Sequence, residues 1–163
     1  MTLGVAVHEV QVEVLMLSVL DGDRLGWRVA SGRLPAGGHP DARARELAGL
    51  GARIPTATVV HSTSWRRAAG GLILTYAVLP DPHPGQGLIR PVPPGLEVAC
   101  SADAAAPTPA VVRIEDVLAH ALRHLSLVAR TSPAVVEAVD VYPLLWGAVV
   151  AHAPDVAGQL VAS

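Results

Sequence analysis

Residues 34–51 hold the side chains whose types and spacing come closest to a catalytic pattern. A glycine-containing turn precedes a short helix-forming segment that carries Asp41, Arg45 and Glu46. Carboxylates on one helix suit Mg²⁺ or Mn²⁺ beside a phosphate group, because these hard cations require several oxygen ligands. Glu46 is therefore the catalytic candidate, Asp41 and Glu46 are the candidate metal ligands, and Arg45 is a candidate ligand-binding residue.

A second polar segment, residues 61–67, lies mostly in a predicted loop at residues 62–71 between two strand-like segments. Loops at strand ends commonly carry binding groups. Trp65 could stack on a nucleobase while Arg66 or Arg67 binds a phosphate, so these three residues are candidate ligand-binding residues. The alternative is a loop that buries Trp65 in the core and leaves both arginines in solvent.

Asp116, His120 and His124 are spaced four residues apart, which places them on one face of a predicted helix. Helical zinc sites use this spacing, but a zinc protease of that type would have glutamate where this chain has Ala121. Both histidines border an apolar stripe, and the sequence indicates no further ligand. We therefore interpret them as boundary histidines of a packed helix.

Apolar patterns predict the strands that position these residues. Residues 10–20 change from alternating to continuous apolar character, which is typical of a strand covered on both faces of its sheet. An Asp-Gly-Asp turn at 21–23 predicts a hairpin. Further strands are expected at 24–30, 33–35, 56–61, 71–79 and 97–100, a short helix at 40–50 that ends at Gly51, an irregular loop at 80–94 and a linker at 101–109.

The period of the apolar pattern changes to that of a helix from Ile114 to Ala129, which predicts one long amphipathic helix. Three more helices are expected to begin at Pro133, Pro143 and Pro154. The sequence thus predicts a sheet domain at residues 1–109, which includes a helix at 39–51. The helices of residues 110–163 would pack on it to form one globular unit.

The composition excludes several classes of protein. Of 163 residues, 51% are hydrophobic and 16% are charged, which is typical of a globular chain rather than a disordered one. A net charge of −2 argues against a nucleic-acid partner. All twelve basic residues are arginine, which indicates a bacterium with a GC-rich genome. A single cysteine and the lack of a long apolar run favour a cytoplasmic protein without a membrane span.

The residues Leu-Pro-Ala-Gly-Gly at 34–38 and Arg-Glu-Leu at 45–47, together with the order of elements, resemble the Nudix hydrolase family. The signature of that family is G-x5-E-x7-R-E-U-x-E-E-x-G-U, in which U is a bulky aliphatic residue. The resemblance implies an α/β (α+β) fold in which helices pack on a mixed sheet, here with a helical C-terminal extension. It also implies glutamates that bind Mg²⁺ or Mn²⁺ beside a nucleoside diphosphate compound.

The chain departs from this signature where the metal would bind. The loop that carries the first glutamate is absent, and Gly49 and Leu50 occupy the positions of two metal-binding glutamates. Glu46 alone does not hold Mg²⁺ tightly. The degenerate signature therefore predicts a catalytically inactive binding or assembly module that retains a nucleotide or another phosphate-containing ligand, without a cofactor.

The alternative is a divalent-metal-dependent hydrolase of nucleoside diphosphate compounds. It would need Mg²⁺ or Mn²⁺, and it would need Asp41, Asp81 or Glu97 to join Glu46. An apolar patch around Tyr142 and Trp146 either closes the core or forms the surface of a homodimer.

Overall fold

The computed structural model describes residues 9–68 and 70–153. These residues form a mixed sheet and four helices, an α+β fold. The strands are β1 (Glu9–Val19), β2 (Leu25–Arg33), β3 (Val59–Ala68), β4 (Gly71–Leu79) and β5 (Arg90–Pro91), and the helices are α1 (Pro40–Leu47), α2 (Ile114–Thr131), α3 (Pro133–Val141) and α4 (Pro143–Val150).

The five strands are arranged in the order β3-β4-β1-β2-β5. β1 lies at the centre, where it pairs with β2 in antiparallel and with β4 in parallel orientation. β3 pairs with β4 alone and forms one outer edge of the sheet. The parallel pairing requires a long crossover between β1 and β4, and β2, α1 and β3 supply it.

Helices cover both faces of the sheet. On the face that we call the helical face, Leu15, Leu17 and Trp27 pack against α2, α3 and α4. On the opposite face, which we call the α1 face, Val14 and Met16 pack against α1. β1 is therefore buried on both faces, which confirms the interpretation of its continuous apolar character.

The long helix α2 begins at Ile114, as its apolar period predicts. The Asp116 carboxylate accepts a hydrogen bond of 2.8 Å from the backbone N–H of Arg113, which caps the first turn. Leu118, Leu122 and Leu125 are fully buried against the sheet and against α4. Trp146 of α4 is also fully buried, so the C-terminal apolar patch closes the core at this residue.

Helix α1 ends earlier than the sequence predicts. Its last residue is Leu47, and Gly49 has a φ of +75°, the left-handed conformation that glycine adopts most readily. The N–H of Gly49 bonds to the carbonyl of Glu46, and the N–H of Leu50 bonds to the carbonyl of Arg45, which together form a Schellman motif. Gly49, rather than the predicted Gly51, therefore terminates this helix.

Several predicted boundaries are wrong on the strands. β2 continues beyond the predicted end at residue 30 to Arg33, and the rest of the short strand expected at 33–35 does not form. Residues 62–68 of the predicted loop instead belong to strand β3, which a β-bulge between Ser62 and Ser64 interrupts. Residues 97–100 form no strand, whereas β5 lies inside the predicted irregular loop. Polar residues are tolerated in β3 because it is an edge strand with one partner.

The helix predicted to begin at Pro154 lies outside the described residues. Within the described part of the chain, no helix has both the length and the apolar character to cross a membrane.

Replacing Leu122 with alanine tests the packing of α2. This side chain is fully buried, so Leu122→Ala should lower the free energy of unfolding by about 2–5 kcal/mol through lost burial and the cavity left behind. Denaturant unfolding followed by circular dichroism measures the change. Leu88→Ala is the matched control, because Leu88 is 79% exposed, and a comparable loss there would contradict the assigned core.

Candidate functional site

The carboxylate of Asp41 faces the sheet. Its Oδ1 atom accepts a hydrogen bond of 2.6 Å from the hydroxyl of Tyr76 on β4. Burial of the hydroxyl, this hydrogen bond and the carboxylate charge together raise the pKa of Tyr76 to about 12. Asp41 therefore anchors the first turn of α1 to the sheet, and a metal ion would have to displace the tyrosine from one of its oxygens.

Glu46 lies on the solvent side of α1. Its side chain is 69% exposed, and Oε2 pairs with the guanidinium of Arg43 at 2.7 Å. A separation of five residues turns Glu46 about 140° away from Asp41 around the helix axis, so the two carboxylates do not share one face. No group of three or more His, Cys, Asp or Glu side chains that could hold a metal ion occurs among the described residues.

Gly49 and Leu50 occupy positions that no longer belong to the helix. Gly49 lies at the first position beyond the helix cap, and a Cβ atom there would stand 2.7 Å from the ring of His83. Leu50 is buried in the core of the α1 face. Gly49 therefore ends the helix and Leu50 packs in the core, so neither position continues a row of ligands along α1.

The other carboxylates considered as substitutes have different roles. Asp81 is buried and accepts two hydrogen bonds, of 2.6 and 2.7 Å, from the guanidinium of Arg28. It also accepts a hydrogen bond from the backbone N–H of His83. Glu97 lies in a recess beside the start of α2, on the helical face of the sheet. Glu97 and Glu46 therefore lie on opposite sides of the sheet.

The predicted ligand-binding arginines do not converge. Arg45 is half-buried in the last turn of α1, and its side chain makes no hydrogen bond or ion pair to any described residue. Arg67 is exposed on β3, with Trp65 two residues before it. Trp65 is 67% exposed, so its side chain is not buried in the core. Arg66, between them, is the one that turns toward the helical face.

The guanidinium of Arg66 is occupied by a buried partner. Its two terminal nitrogens donate to the two carboxylate oxygens of Glu13, each at 2.9 Å. Thr75 completes the group, because its hydroxyl lies 3.1 Å from the guanidinium and 3.2 Å from the carboxylate. This bidentate pair joins the outer strand β3 to the central strand β1 across β4. Glu13, which the sequence does not single out, already neutralises the charge of Arg66.

A pocket of about 270 Å³ lies between β3, the start of α2 and the connecting segment before it. Trp65 and Arg66 line it together with Asp116, His120 and Cys100. The remaining walls are mostly apolar and come from residues 98–99, 107–109, 112 and 117, with Ser64 beside them. It is the recess that combines predicted ligand-binding residues with several polar side chains and an apolar wall.

A larger cleft of about 960 Å³ lies between the β1–β2 turn, the segment after β5 and α4. Prolines and small apolar residues form most of its surface, and Asp23, Arg24 and His152 lie at its polar end. None of the predicted site residues lines this cleft. Its volume alone does not indicate any chemistry, so the smaller pocket is the better candidate site.

Three histidines form a row at the contact between β3 and α2. The Nε2 atoms of His61 and His124 are 3.0 Å apart, and the two rings stack with a centroid separation of 5.1 Å. The ring of His120 stacks on that of His124 at 6.2 Å. Burial lowers the pKa of His61 and His124, and the neighbouring histidines lower that of His124 further.

The sequence identifies the helical pair His120 and His124 but not their partner His61. Their spacing of four residues is visible in the sequence, and their position at the edge of the core agrees with the interpretation as boundary histidines. Strand register determines that His61 faces α2, because His61 pairs with Ala77, whose side chain lies on the helical face. The bulge between Ser62 and Ser64 hides this alternation in the sequence.

No protein-family model, no curated protein and no solved structure matches this chain. Its function must therefore be argued from the residues themselves.

Replacing Glu13 with glutamine tests the buried ion pair. Glu13→Gln keeps the size of the side chain but leaves the largely buried guanidinium of Arg66 without a counter-charge. We expect a loss of about 3 kcal/mol or more in the free energy of unfolding, measured by denaturant titration. The control is Asp21→Asn, which removes an exposed ion pair and should leave the unfolding midpoint unchanged. Equal effects of the two substitutions would contradict a structural role for the buried pair.

Proposed function

We propose that this protein is a Nudix-like binding module that does not hydrolyse nucleoside diphosphate compounds, and that its ligand occupies the pocket between β3 and α2. The proposal rests on the contacts that the carboxylates of α1 make in the structure. Asp41 is bonded to Tyr76, Glu46 faces solvent and pairs with Arg43, and the helix ends before Gly49 and Leu50. Several oxygens converging on one cation are what metal-assisted phosphate chemistry requires, and this helix does not supply them.

The charges around the pocket restrict the chemistry of its ligand. Arg66 is balanced by Glu13, and Asp116 is balanced by Arg113. A phosphate group would therefore compete with a buried carboxylate for the same guanidinium. A compact apolar ligand with few polar atoms suits the mostly apolar wall, which Trp65 borders on the edge strand β3.

The size of the pocket favours the same class of ligand. Its volume of about 270 Å³ is at the small end for ligand sites, which commonly enclose about 300–1,000 Å³. A single heterocycle fits such a volume better than a whole nucleotide sugar. A phosphate-containing ligand remains the alternative within this proposal, with its phosphate outside the pocket near an arginine such as Arg67, which has no carboxylate partner among the described residues.

The rival function is metal-dependent hydrolysis with carboxylates other than those of the Nudix signature. It would require Asp41 to leave Tyr76, or Asp81 to leave Arg28, and either carboxylate to approach Glu46. Removing Asp81 from its buried bidentate contact would leave Arg28 without its partner, which is costly in a low-dielectric environment. The binding role needs no such rearrangement.

A hydrolysis assay on the full chain separates these functions. Nucleoside diphosphate sugars and dinucleoside polyphosphates should be left intact in the presence of Mn²⁺ or Mg²⁺. The variant Glu46→Gln should behave as the wild type does. Turnover by the wild type that this substitution abolishes would contradict the proposal and support the hydrolase.

A thermal-shift screen tests the binding role. Heterocycles, nucleosides and nucleotides would be added singly, because a ligand at a hundred times its Kd stabilises the folded state by about 2.7 kcal/mol. A ligand of the pocket should lose this effect in Trp65→Ala, whereas Leu88→Ala, which changes an exposed apolar residue outside the pocket, should retain it. An unchanged melting temperature across the whole panel would contradict a small-molecule ligand.

Self-association is a second proposal, and it rests on exposed apolar side chains of α3 and α4. Leu144 is 65% exposed and Val136 is 50% exposed, although each is next to a buried residue in the sequence. A second copy of the chain would cover them. We expect Leu144→Asp to convert a dimer to a monomer in light scattering without loss of helicity, and a wild type that is monomeric at high concentration would contradict the proposal.

A further inference from the structure

We propose that His61, His120 and His124 form a proton-operated clasp between β3 and α2, which holds these two walls of the pocket together at neutral pH and releases them in acid, so that the pocket opens further. The inference concerns the regulation of the pocket and so rests on the proposed function. It requires that protonation of the histidines change the contact between the two elements that form the walls of the pocket.

The first link of the clasp is the contact between His61 and His124. Their Nε2 atoms are 3.0 Å apart, a hydrogen-bond distance, so one imidazole donates its Nε2–H and the other accepts it. This arrangement holds one proton between two nitrogens. A first added proton can sit on the Nδ1 atom of the donor ring and leave this hydrogen bond intact. When both rings are protonated, both Nε2 atoms are donors, so the hydrogen bond is lost and two positive rings repel each other.

The second link joins His120 to the bulge of β3. The Nε2 atom of His120 lies 3.3 Å from the backbone carbonyl of Thr63. A carbonyl only accepts, so His120 donates here, and its stacking on His124 places the three rings in one row. His120 also lines the pocket, as does Ser64 next to the bulged residue. The row of histidines therefore adjoins the wall that separates the pocket from the core.

The surrounding charges do not compensate for a second proton. Glu13 and Asp116 are each bonded to an arginine, Arg66 and Arg113 respectively. The other titratable side chains on the elements packed against the histidines are Glu115, Arg123 and Arg130 on α2, Arg67 on β3, Glu9 on β1, Tyr76 on β4, and the exposed Glu137 and Asp140 on α3. α4 has none, but His152 just after it contacts α2, and burial and the charge of Arg123 lower its pKa. The lowered pKa of His61 arises from burial and that of His124 from burial and its histidine neighbours, and no carboxylate counteracts either effect.

A proton suits this row better than a metal ion does. A stable zinc site needs three or four protein ligands. The described residues offer no group of three, and the Nε2 atom of His120 is directed at a carbonyl rather than at the other two histidines. The pair of imidazoles is thus complete with one shared proton.

The sign of the pH dependence follows from the lowered pKa values. The unfolded chain binds protons at its histidines near the ordinary pKa of 6.5, whereas folded His61 and His124 bind them only at lower pH. The contribution of the neutral pair to stability is therefore complete above 6.5. It is lost as the pH falls below that value toward the folded-state pKa values. Opening of the contact between β3 and α2 should follow the same profile.

Cys100 provides a direct reporter of the pocket. It is the single cysteine of the chain, it is half-buried, and it lines the pocket opposite β3. The experiment measures its alkylation rate by a small thiol reagent at each pH, divided by the rate for free N-acetylcysteine, so that the intrinsic thiolate fraction cancels. This ratio reports access to the pocket without the need for a ligand.

We expect the ratio to rise severalfold as the pH falls from about 7.5 to about 5.5, because the histidines are protonated over this range. His61→Gln and His124→Gln should abolish the rise. His39→Asn is the matched control, since it removes an exposed histidine of the α1 face and retains a residue that caps a helix. A rise that persists in both glutamine variants, or no rise in the wild type, would overturn the clasp.

A histidine titration of the wild type by NMR keeps the proposal testable if a variant fails to fold. His61 and His124 should titrate together, in two steps below the ordinary value. Independent titration of both near 6.5 would overturn the clasp. Failure of the proposed function would instead appear as a silent ligand screen with the pH response of Cys100 intact.

Discussion

The burial of β1 on both faces is the constraint on which the rest of the structure depends. A central strand that is apolar on both sides requires a partner strand at each edge and a helical layer over each face. β4 and β2 supply the partners, α1 covers one face, and the three C-terminal helices cover the other. The long loop before α2 follows from this requirement, because the chain must return to the helical face after β5. The candidate pocket is the space left where that loop meets the outer strand.

Internal pairing of charges limits what the site residues can do. Glu13 with Arg66 and Asp81 with Arg28 are bidentate pairs that connect elements far apart in sequence. Burying a charge without a partner costs much free energy, so breaking either pair would destabilise the fold. These side chains are therefore poor candidates for binding a ligand. Trp65 is exposed, and the row of histidines is paired with no carboxylate in the part of the chain that the structure describes.

Much of the fold could be predicted from the sequence, but little of the candidate site. Strand β4 and the starts of α2, α3 and α4 follow from local patterns: an unbroken apolar run, a change of period, and proline at a first turn. Residues of β3 were predicted as a loop because Ser62, Ser64 and Arg66 are polar, whereas an edge strand tolerates them. The ion pair between Glu13 and Arg66 carries no local signal, since its partners are separated by 53 residues and meet only through sheet register.

The sequence by itself determined the α+β class, the burial of the first strand and the positions where the helices begin, because each depends on neighbouring residues and on the periodicity of apolar side chains. The tertiary structure alone decided which polar groups meet. In the folded chain Asp41 accepts a hydrogen bond from Tyr76, and His61 contacts His124. Glu97 lies on the opposite side of the sheet from Glu46. The physical reason is that a hydrogen bond requires its donor and acceptor atoms to lie about 3 Å apart. Contacts at that distance depend on strand order, register and a single bulge, which no local pattern of residues specifies.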